Sequence, residues 1–313
     1  LTFVYKAAAE IGDLGDNTRA MRDAIRRDDL LRLALGNDSA VAVVLGHTRW
    51  ASVGIISQPN AHPVDNAEAS GPEGPYVVAA LNGDVDNFAD LKDGAGLRIA
   101  PEITTDAKVI PTLVSRRLAA GERPIDAFRN TVATFEGSVA IGASSTGDPD
   151  RVLLALRGSG QALYVGLVDG AYVVASEPYG LVEMTDRYLR LDGDTPANPD
   201  NPSASRGQIV ALDGRRAGTL EGIERVAYDG TVLPVSDAEF VEAAVTTRDI
   251  DRGEFPHFLL KEITESPDSF RKTLRGKLVE RDGRLDVVLH HDALPEKVRS
   301  ALRSGDTRRV LVI

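Results

Sequence analysis

Apolar runs that end at clusters of glycine, asparagine, aspartate or proline predict a series of short β-strands. The runs cover residues 41–45, 76–81, 138–142, 152–156, 162–167, 171–175 and 208–212. Turn sequences such as Asp169-Gly170 separate the runs between 138 and 175, and this spacing favours an antiparallel meander. The closing residues, 309–313, have the pattern of another buried strand.

Apolar positions at helical spacing predict helices between these strands. The helical patterns cover residues 19–35, 106–120, 124–135, 255–277 and 295–304. Thr104 or Thr105 suits the N-cap of the second of these helices, Pro124 suits the first turn of the third, and Pro267 interrupts the fourth. Strands at both ends of the chain with helices between them predict an α+β protein in which helices pack on antiparallel sheets.

Composition narrows the classes of function. The chain has 313 residues and a net charge of −11. An acidic surface repels phosphate backbones and anionic lipid heads, and no apolar run reaches the roughly 20 residues that span a bilayer. We therefore expect neither nucleic acid nor a membrane as a partner. The chain contains no cysteine, which excludes disulfides, thiolate metal ligands and a cysteine nucleophile within this stretch. A cytoplasmic protein is expected.

Arg49 stands where a guanidinium group could hold a carboxylate. It follows the first apolar run, within Gly46-His47-Thr48-Arg49-Trp50-Ala51-Ser52. A guanidinium can bind a carboxylate through two parallel hydrogen bonds. Taken alone, an arginine at such a position is more often paired with a structural carboxylate.

Asn82-Gly83 and Asp106 each have a structural interpretation and a functional one. Asn-Gly after an apolar strand is most often a hairpin turn, but an Asn amide and a Gly N–H can also converge on one oxygen as an oxyanion hole. Asp106 precedes a helical pattern, where the helix dipole favours a carboxylate. Its functional interpretation is an acceptor for an α-ammonium group.

Two pairs of histidines could be read as metal ligands. His47 and His62 are close in sequence, and His290 adjoins His291. No ligand spacing recurs among them, and hydrogen bonding near turns or a solvent-exposed pair explains them without a metal. We therefore expect neither a metal nor a cofactor.

In their order along the chain, these motifs resemble those of the class II glutamine amidotransferases, which are N-terminal-nucleophile hydrolases. Residues 46–54 resemble H-T-R-W-A-T-H-G, 60–63 resemble N-A-H-P, 81–83 resemble H-N-G, and 105–110 resemble T-D-T-E-V-I; 135–138 and 174–177 match later strand motifs. Residues 257–267 resemble the linker H-x-M-x-K-E-I-x-E-Q-P of the glutamine–fructose-6-phosphate aminotransferases. The resemblance thus runs from about Leu1 to the end of the chain.

The resemblance implies a four-layer αββα sandwich of antiparallel sheets flanked by helices, and it implies a role for each matched residue. Arg49 would bind the α-carboxylate of L-glutamine with help from Ser52, and Trp50 would cover the site. Asn82 and the Gly83 N–H would stabilise the tetrahedral oxyanion, while the Gly83 carbonyl and Asp106 would hold the α-ammonium. The nucleophile would be the thiol of an N-terminal cysteine, with its own α-amine as the base.

The resemblance also implies two parts of a longer protein. Residues 1–250 would be a glutaminase domain lacking its N-terminal segment, and residues 251–313 would be the linker and the start of a sugar-phosphate isomerase domain. Because the chain has no initiator Met and stops after a strand pattern, we expect it to be cut from a longer polypeptide at both ends. The whole enzyme would pass ammonia from L-glutamine to a sugar phosphate, fructose 6-phosphate, and would form a homo-oligomer through its isomerase part.

The chain departs from the family pattern in ways that keep alternatives open. Ser52, Val53 and Leu81 stand where the family has Thr, His and His, and Ser266 stands where it has Gln. The chain could instead be a catalytically inactive glutamine-binding or regulatory domain. It could also belong to another class II amidotransferase, although the linker motif argues against that interpretation. A Met-Cys-Gly sequence upstream of Leu1 would favour the enzyme.

Overall fold

The computed structural model describes residues 1–8, 16–49, 53–69, 71, 74–158, 160–193, 207–243, 252–274, 277–281, 283–288 and 294–309. The chain divides into two compact units, Leu1–Thr247 and Arg248–Ile313. Four residues singled out from the sequence, Trp50, Ser52, His290 and His291, lie outside the described residues, as does most of the strand predicted at 309–313.

Two antiparallel sheets form the body of the first unit. The first sheet has the order β1-β2-β3-β4-β8-β9, with β1 at Val64–Asp65, β2 at Val77–Gly83, β3 at Val139–Ser145, β4 at Asp148–Arg157, β8 at Gln208–Asp213 and β9 at Ile223–Ala227. The second sheet has the order β10-β7-β5-β6, with β5 at Tyr164–Val168, β6 at Ala171–Ala175, β7 at Arg187–Arg190 and β10 at Val241–Glu242. Every paired strand in both sheets is antiparallel to its neighbour.

The helices of the first unit lie at its start and between β2 and β3. They are α1 (Asp16–Arg27), α2 (Asp29–Leu35), α3 (Phe88–Gly94), α4 (Val109–Ala119) and α5 (Pro124–Val132). A short 3-10 turn, Asp106–Lys108, leads directly into α4. Pro124 occupies the first turn of α5, where its fixed backbone angle suits a helix start.

Two apolar cores hold three layers together, one on each face of the first sheet. Because successive side chains of a strand point to opposite faces, Leu153 packs in the core beneath helices α4 and α5, while Leu154 packs in the core between the two sheets. The helix-side core includes Ile110 and Phe128, and the inter-sheet core includes Val165 of the second sheet. The predicted α+β class, with helices packed on antiparallel sheets, is confirmed. Of the four layers that the resemblance implies, the cores among the described residues join three: the helices, the first sheet and the second sheet.

In the first unit several sequence predictions hold and three need correction. The strands at 76–81, 152–156, 171–175 and 208–212 and the helices at 106–120 and 124–135 are confirmed. Residues 41–45 do not form the predicted buried strand: Val44 is 89% exposed, and the described residues give this run no neighbouring strand to pair with. The predicted meander is split, because β4 pairs with β8 while β5 belongs to the second sheet. The helix at 19–35 is two helices, since Asp28 caps α2 by accepting the Leu31 N–H.

The second unit contains α6 (Phe258–Leu274), a hairpin of β11 (Leu278–Arg281) and β12 (Arg284–Val287), and α7 (Glu296–Ser304). Pro267 lies inside α6 and does not interrupt it as predicted. A proline removes one main-chain hydrogen bond and crowds the preceding turn, yet the helical pattern on both sides continues across it. In the described part of the chain, no helix has both the length and the apolar character that crossing a membrane requires.

A buried lysine ties the 3-10 turn to strand β1 and so fixes the start of α4. The Lys108 side chain is 1% exposed, and its Nζ donates to the Asp65 main-chain carbonyl and to Asp65 Oδ1 at 3.1 Å. Asp65 is itself partly exposed, so the pair is buried only at its lysine end, and removing the lysine takes a charged donor away from the Asp65 oxygens. Lys108 therefore contributes to the placement of Asp106, which belongs to the same turn.

We predict that Lys108→Met lowers the free energy of unfolding by about 1–3 kcal/mol, because the apolar stem is kept while the Asp65 oxygens lose their charged donor. The measurement is urea denaturation of the whole chain. Arg117→Met is the matched control: the Arg117–Glu122 pair is partly exposed, so its loss should cost less than about 1 kcal/mol. Equal losses in the two variants would show that Lys108 has no special structural role.

Candidate active site

A cavity of about 970 Å³ is lined by residues of both sheets. Arg49, Asn82, Gly83 and Asp106 line this cavity together with His47 and His62. Part of its wall comes from small residues on the inner faces of the sheets, among them Ala140, Gly142 and Ala175. The structure thus brings these four predicted residues to one shared space, while Trp50 and Ser52 lie outside the described residues.

Asn82 and Gly83 are the last two residues of β2. Their ladder partners are Ala140 and Val139, more than fifty residues along the chain, so Asn82-Gly83 is not the hairpin turn that its sequence most often forms. The Asn82 side chain is exposed and makes no hydrogen bond with the described residues. Gly83 has a φ of +104°, and a Cβ there would clash with the Ser138 carbonyl oxygen, so only glycine fits.

Asp106 is a buried carboxylate that faces the cavity. It is 4% exposed, its Oδ2 accepts the Val85 N–H at 2.8 Å, and its Oδ1 accepts the Thr105 hydroxyl at 3.4 Å. Burial raises the pKa of Asp106; the Val85 hydrogen bond opposes that shift, and the nearby Asp84 charge adds to it. Among the described residues Asp106 has no ion-pair partner, so a cationic group of a ligand could pair with it.

Arg49 is held by the main chain of the turn that follows it. Its guanidinium donates to the carbonyl oxygens of Val53 and Ile55. Burial lowers the pKa of Arg49, and the negative charge of Asp106 opposes that shift. The same turn is fixed to the residues before Asp106, because the Ile55 N–H donates to Thr104 Oγ1 at 3.2 Å. The Ile55–Thr104 hydrogen bond therefore connects the turn that holds Arg49 to the segment that leads into Asp106.

The Asn60 side chain fixes the chain segment just before Asp106. It is fully buried, and its Oδ1 accepts the N–H groups of Thr104 at 2.8 Å and Thr105 at 3.0 Å. Its Nδ2 donates to Ser57 Oγ at 2.9 Å. A buried amide that is satisfied on both its oxygen and its nitrogen fixes the local chain direction. The sequence alone gives no role for the Asn60 side chain, although Asn60 opens the motif Asn60-Ala61-His62-Pro63.

His62 links the Asp106 turn to strand β2. Its Nδ1 accepts the Leu81 N–H at 3.3 Å, and its Nε2 lies 3.4 Å from Thr105 Oγ1. Its ring packs against His47, with the centroids 4.7 Å apart. Burial lowers the pKa of His62 to about 3, with smaller contributions from the charges of His47 and Arg49, so His62 is neutral near pH 7. The structure therefore favours the hydrogen-bonding interpretation of this histidine. In the described residues no three metal-ligating side chains gather.

No protein-family profile matches the chain. Its sequence is similar to curated glutamine–fructose-6-phosphate aminotransferases. It is 30% identical over 271 residues to that of Halalkalibacterium halodurans, covering 87% of this chain and 38% of the relative. It is 28% identical over 285 residues to that of Bacillus cereus (90% and 40%) and 29% identical over 266 residues to that of Chlorobaculum tepidum (83% and 38%).

Two solved structures are similar to part of the chain. One is the allosteric regulatory enzyme of purine biosynthesis, with a TM-score of 0.40 and 21% identity over 55% of this chain and 32% of that one. The other is glutamine phosphoribosylpyrophosphate amidotransferase from Bacillus subtilis, with a TM-score of 0.42 and 21% identity over 58% of this chain and 34% of that one. These distant likenesses add nothing to what the sequence relatives show.

The chain spans about two fifths of the length of the curated relatives it matches. The matches nonetheless cover 83% to 90% of this chain. The family resemblance predicted from the motifs is confirmed: over most of its own length, the chain is a homologue of the glutamine–fructose-6-phosphate aminotransferases.

Proposed function

We propose that this chain is the glutaminase part of an aminotransferase that hydrolyses L-glutamine and delivers the ammonia to fructose 6-phosphate, giving glucosamine 6-phosphate and glutamate. The observation that carries the proposal is the set of groups around one cavity: the Arg49 guanidinium, the Asn82 amide, Gly83 and the buried Asp106 carboxylate. These groups complement an α-amino acid whose side chain ends in an amide. The similarity to the aminotransferases supports the same substrate.

Binding of glutamine would use the two charged residues. Arg49 would bind the α-carboxylate, because a planar guanidinium matches the two oxygens of that group. Asp106 would accept the α-ammonium together with the Gly83 carbonyl. Since Asp106 is buried and lacks an ion-pair partner among the described residues, a cation beside it would act in a medium that screens charge weakly. From the family resemblance, Ser52 would assist Arg49 and Trp50 would cover the bound substrate.

Catalysis would use the end of β2. A thiol would add to the amide carbonyl of glutamine, the C–N bond would break with release of ammonia, and water would then hydrolyse the thioester to glutamate. The Asn82 amide and the Gly83 N–H would stabilise the negative oxygen of the tetrahedral intermediate. None of the 313 residues is cysteine, so the thiol would belong to an N-terminal cysteine of a longer polypeptide. The chemistry needs neither a metal nor another cofactor.

The remaining features of the proposal concern the longer protein. Residues 1–250 would form the glutaminase domain, and residues 251–313 would form the linker and the start of the isomerase domain that takes the sugar phosphate. The division of the chain into units at Thr247 is compatible with that boundary. Homo-oligomerisation through the isomerase part and a cytoplasmic location belong to the same proposal.

A second candidate is a glutamine-binding or regulatory domain without catalysis. One observation favours it: Leu81 stands where the family has a histidine, and its side chain is buried in the helix-side core, where it offers no polar group. Val53 also replaces a family histidine. The residues encoded upstream of Leu1 distinguish the two candidates, because Met-Cys-Gly there supports the enzyme. Other class II amidotransferases are disfavoured by the linker motif at 257–267.

We predict that this chain by itself does not release ammonia from L-glutamine, because it contains no thiol nucleophile beside Asn82 and Gly83. The measurement is a coupled ammonia assay on the purified chain. Turnover above that of heat-denatured protein would contradict the assignment of the missing thiol.

Arg49→Lys should weaken binding of L-glutamine to this chain by roughly ten- to a hundredfold, since lysine offers a point charge and loses the planar pair of donors. Isothermal titration calorimetry measures the change. Arg117→Lys, away from the cavity, is the control and should bind glutamine as the wild type does. In the full-length enzyme, activity with added ammonium should survive Arg49→Lys. If the glutamine-dependent and ammonium-dependent rates fell together, Arg49 would be structural.

Asn82→Asp in the full-length enzyme should remove most glutaminase turnover, because a carboxylate would face the developing negative oxygen. Loss of one such donor costs roughly 10²–10³ in kcat in other enzymes. The melting temperature should change little, since the Asn82 side chain makes no hydrogen bond to the described residues. Asn82→Gly, which deletes the donor without adding charge, is the companion variant. Near-normal hydrolysis by Asn82→Asp would refute the oxyanion role.

A further inference from the structure

A ring of hydrogen bonds encloses Asn82 and Gly83. It starts at the Leu81 N–H, passes through His62 to Thr105 and then to Asp106, and returns to the chain at the Val85 N–H. The ring therefore begins one residue before Asn82 and ends two residues after Gly83. It joins the residue proposed to hold the α-ammonium to the residues proposed to hold the oxyanion.

The donors and acceptors of this ring have one consistent direction. The Leu81 N–H can only donate, so His62 Nδ1 accepts and the proton of the neutral ring sits on Nε2. Nε2–H then donates to Thr105 Oγ1, which leaves the Thr105 hydroxyl proton for Asp106 Oδ1. Asp106 Oδ2 is taken by the Val85 N–H. Each carboxylate oxygen thus has its own donor, which fixes the rotation of the group.

The Asn60 side chain fixes the main chain of Thr105. Asn60 Oδ1 accepts the N–H groups of Thr104 and Thr105, so the Thr105 backbone is fixed independently of its hydroxyl. Thr105 is itself almost fully buried. A change confined to the hydroxyl would therefore alter the link between His62 and Asp106 while leaving the turn in place.

We propose that His62 and Thr105 are positioning residues that hold the Asp106 carboxylate at a fixed place relative to Asn82 and Gly83. The site then selects amides that also carry an α-ammonium group at the matching distance. This inference rests on the proposed function, because it concerns how the same site chooses its substrate. Neither His62 nor Thr105 contacts the reacting amide in this assignment; both act through Asp106.

The test compares two ligands that differ by one group. L-Glutamine carries the α-ammonium, and glutaramate is the same molecule without the amino group. Their affinities for the whole chain are measured by isothermal titration calorimetry. For the wild type, L-glutamine should bind more tightly than glutaramate. Thr105→Val keeps the side-chain volume but removes the hydroxyl, and it should weaken L-glutamine binding by about tenfold while leaving glutaramate binding unchanged.

Three companion variants separate positioning from a general loss of structure. Thr105→Ser keeps a hydroxyl and should restore the preference for L-glutamine. Thr112→Val also removes a buried hydroxyl, one that donates to the Lys108 carbonyl and not to Asp106, and it should change neither affinity. His62→Asn keeps an acceptor for the Leu81 N–H but is too short to reach Thr105, so it should lose preference as Thr105→Val does.

The results distinguish a failure of the positioning role from a failure of the proposed function. If Thr105→Val keeps the full wild-type preference for L-glutamine, the positioning role is wrong and the proposed function stands. If Thr105→Val weakens both ligands equally, Thr105 is merely structural and the inference is again overturned. If the wild-type chain binds glutaramate as tightly as L-glutamine, the role of Asp106 fails, and with it both the proposed substrate contacts and this inference.

Discussion

The candidate site depends on the buried Asp106 carboxylate, a negative charge that no ion pair among the described residues balances. Burying an ionised carboxylate costs several kcal/mol in effective terms, and each hydrogen bond to a charged group returns only about 1.5–3 kcal/mol. Asp106 accepts the Val85 N–H and the Thr105 hydroxyl and is further stabilised by main-chain N–H groups of its own turn, but no side chain in the described part of the chain forms an ion pair with it. The pKa of Asp106 is raised because these hydrogen bonds do not fully offset the cost of burying its charge. A ligand ammonium would complete it, which explains why a buried carboxylate suits an amino-acid site.

The shape of the cavity follows from the alternation of side chains along the strands. Leu81 points into the helix-side core, so its neighbour Asn82 points to the opposite face of the sheet. Small residues on that face, Ala140 and Gly142, leave space between the two sheets. The side chain of Leu45 packs closely over Gly142, where a Cβ would lie 3.0 Å from Leu45 Cδ1. The lack of a side chain at Gly142 therefore leaves room for the Leu45 side chain against β3.

Much of the fold could be predicted from local patterns, whereas the contacts that organise the site could not. Strand β6 and helix α5 follow from a short apolar run and from a proline in the first helical turn, because both signals are local. The apolar run at 41–45 predicts a strand that the structure does not form, because an apolar run does not reveal whether a pairing strand is available. The separation of β4 and β5 into different sheets is a non-local choice that turn sequences do not encode.

For the site too, the residues could be predicted from local motifs, whereas their long-range contacts could not. Arg49, Asn82, Gly83 and Asp106 could be named from motifs, and the structure places them around one cavity. The roles of Asn60 and His62 could not be derived, because their partners Thr105 and Leu81 lie about twenty to forty-five residues away in sequence. The motif Asn60-Ala61-His62-Pro63 indicates that these residues belong to the site, but it does not indicate what each side chain contacts.

The most direct test of the central claim is a crystal structure of this chain with L-glutamine, which the chain should not hydrolyse. We expect the ligand to lie in the cavity, with its α-carboxylate on the Arg49 guanidinium and its α-ammonium within about 3 Å of an Asp106 oxygen. The side-chain carbonyl oxygen of glutamine should face Asn82 and the Gly83 N–H. A ligand bound elsewhere, or one whose ammonium points away from Asp106, would contradict the account.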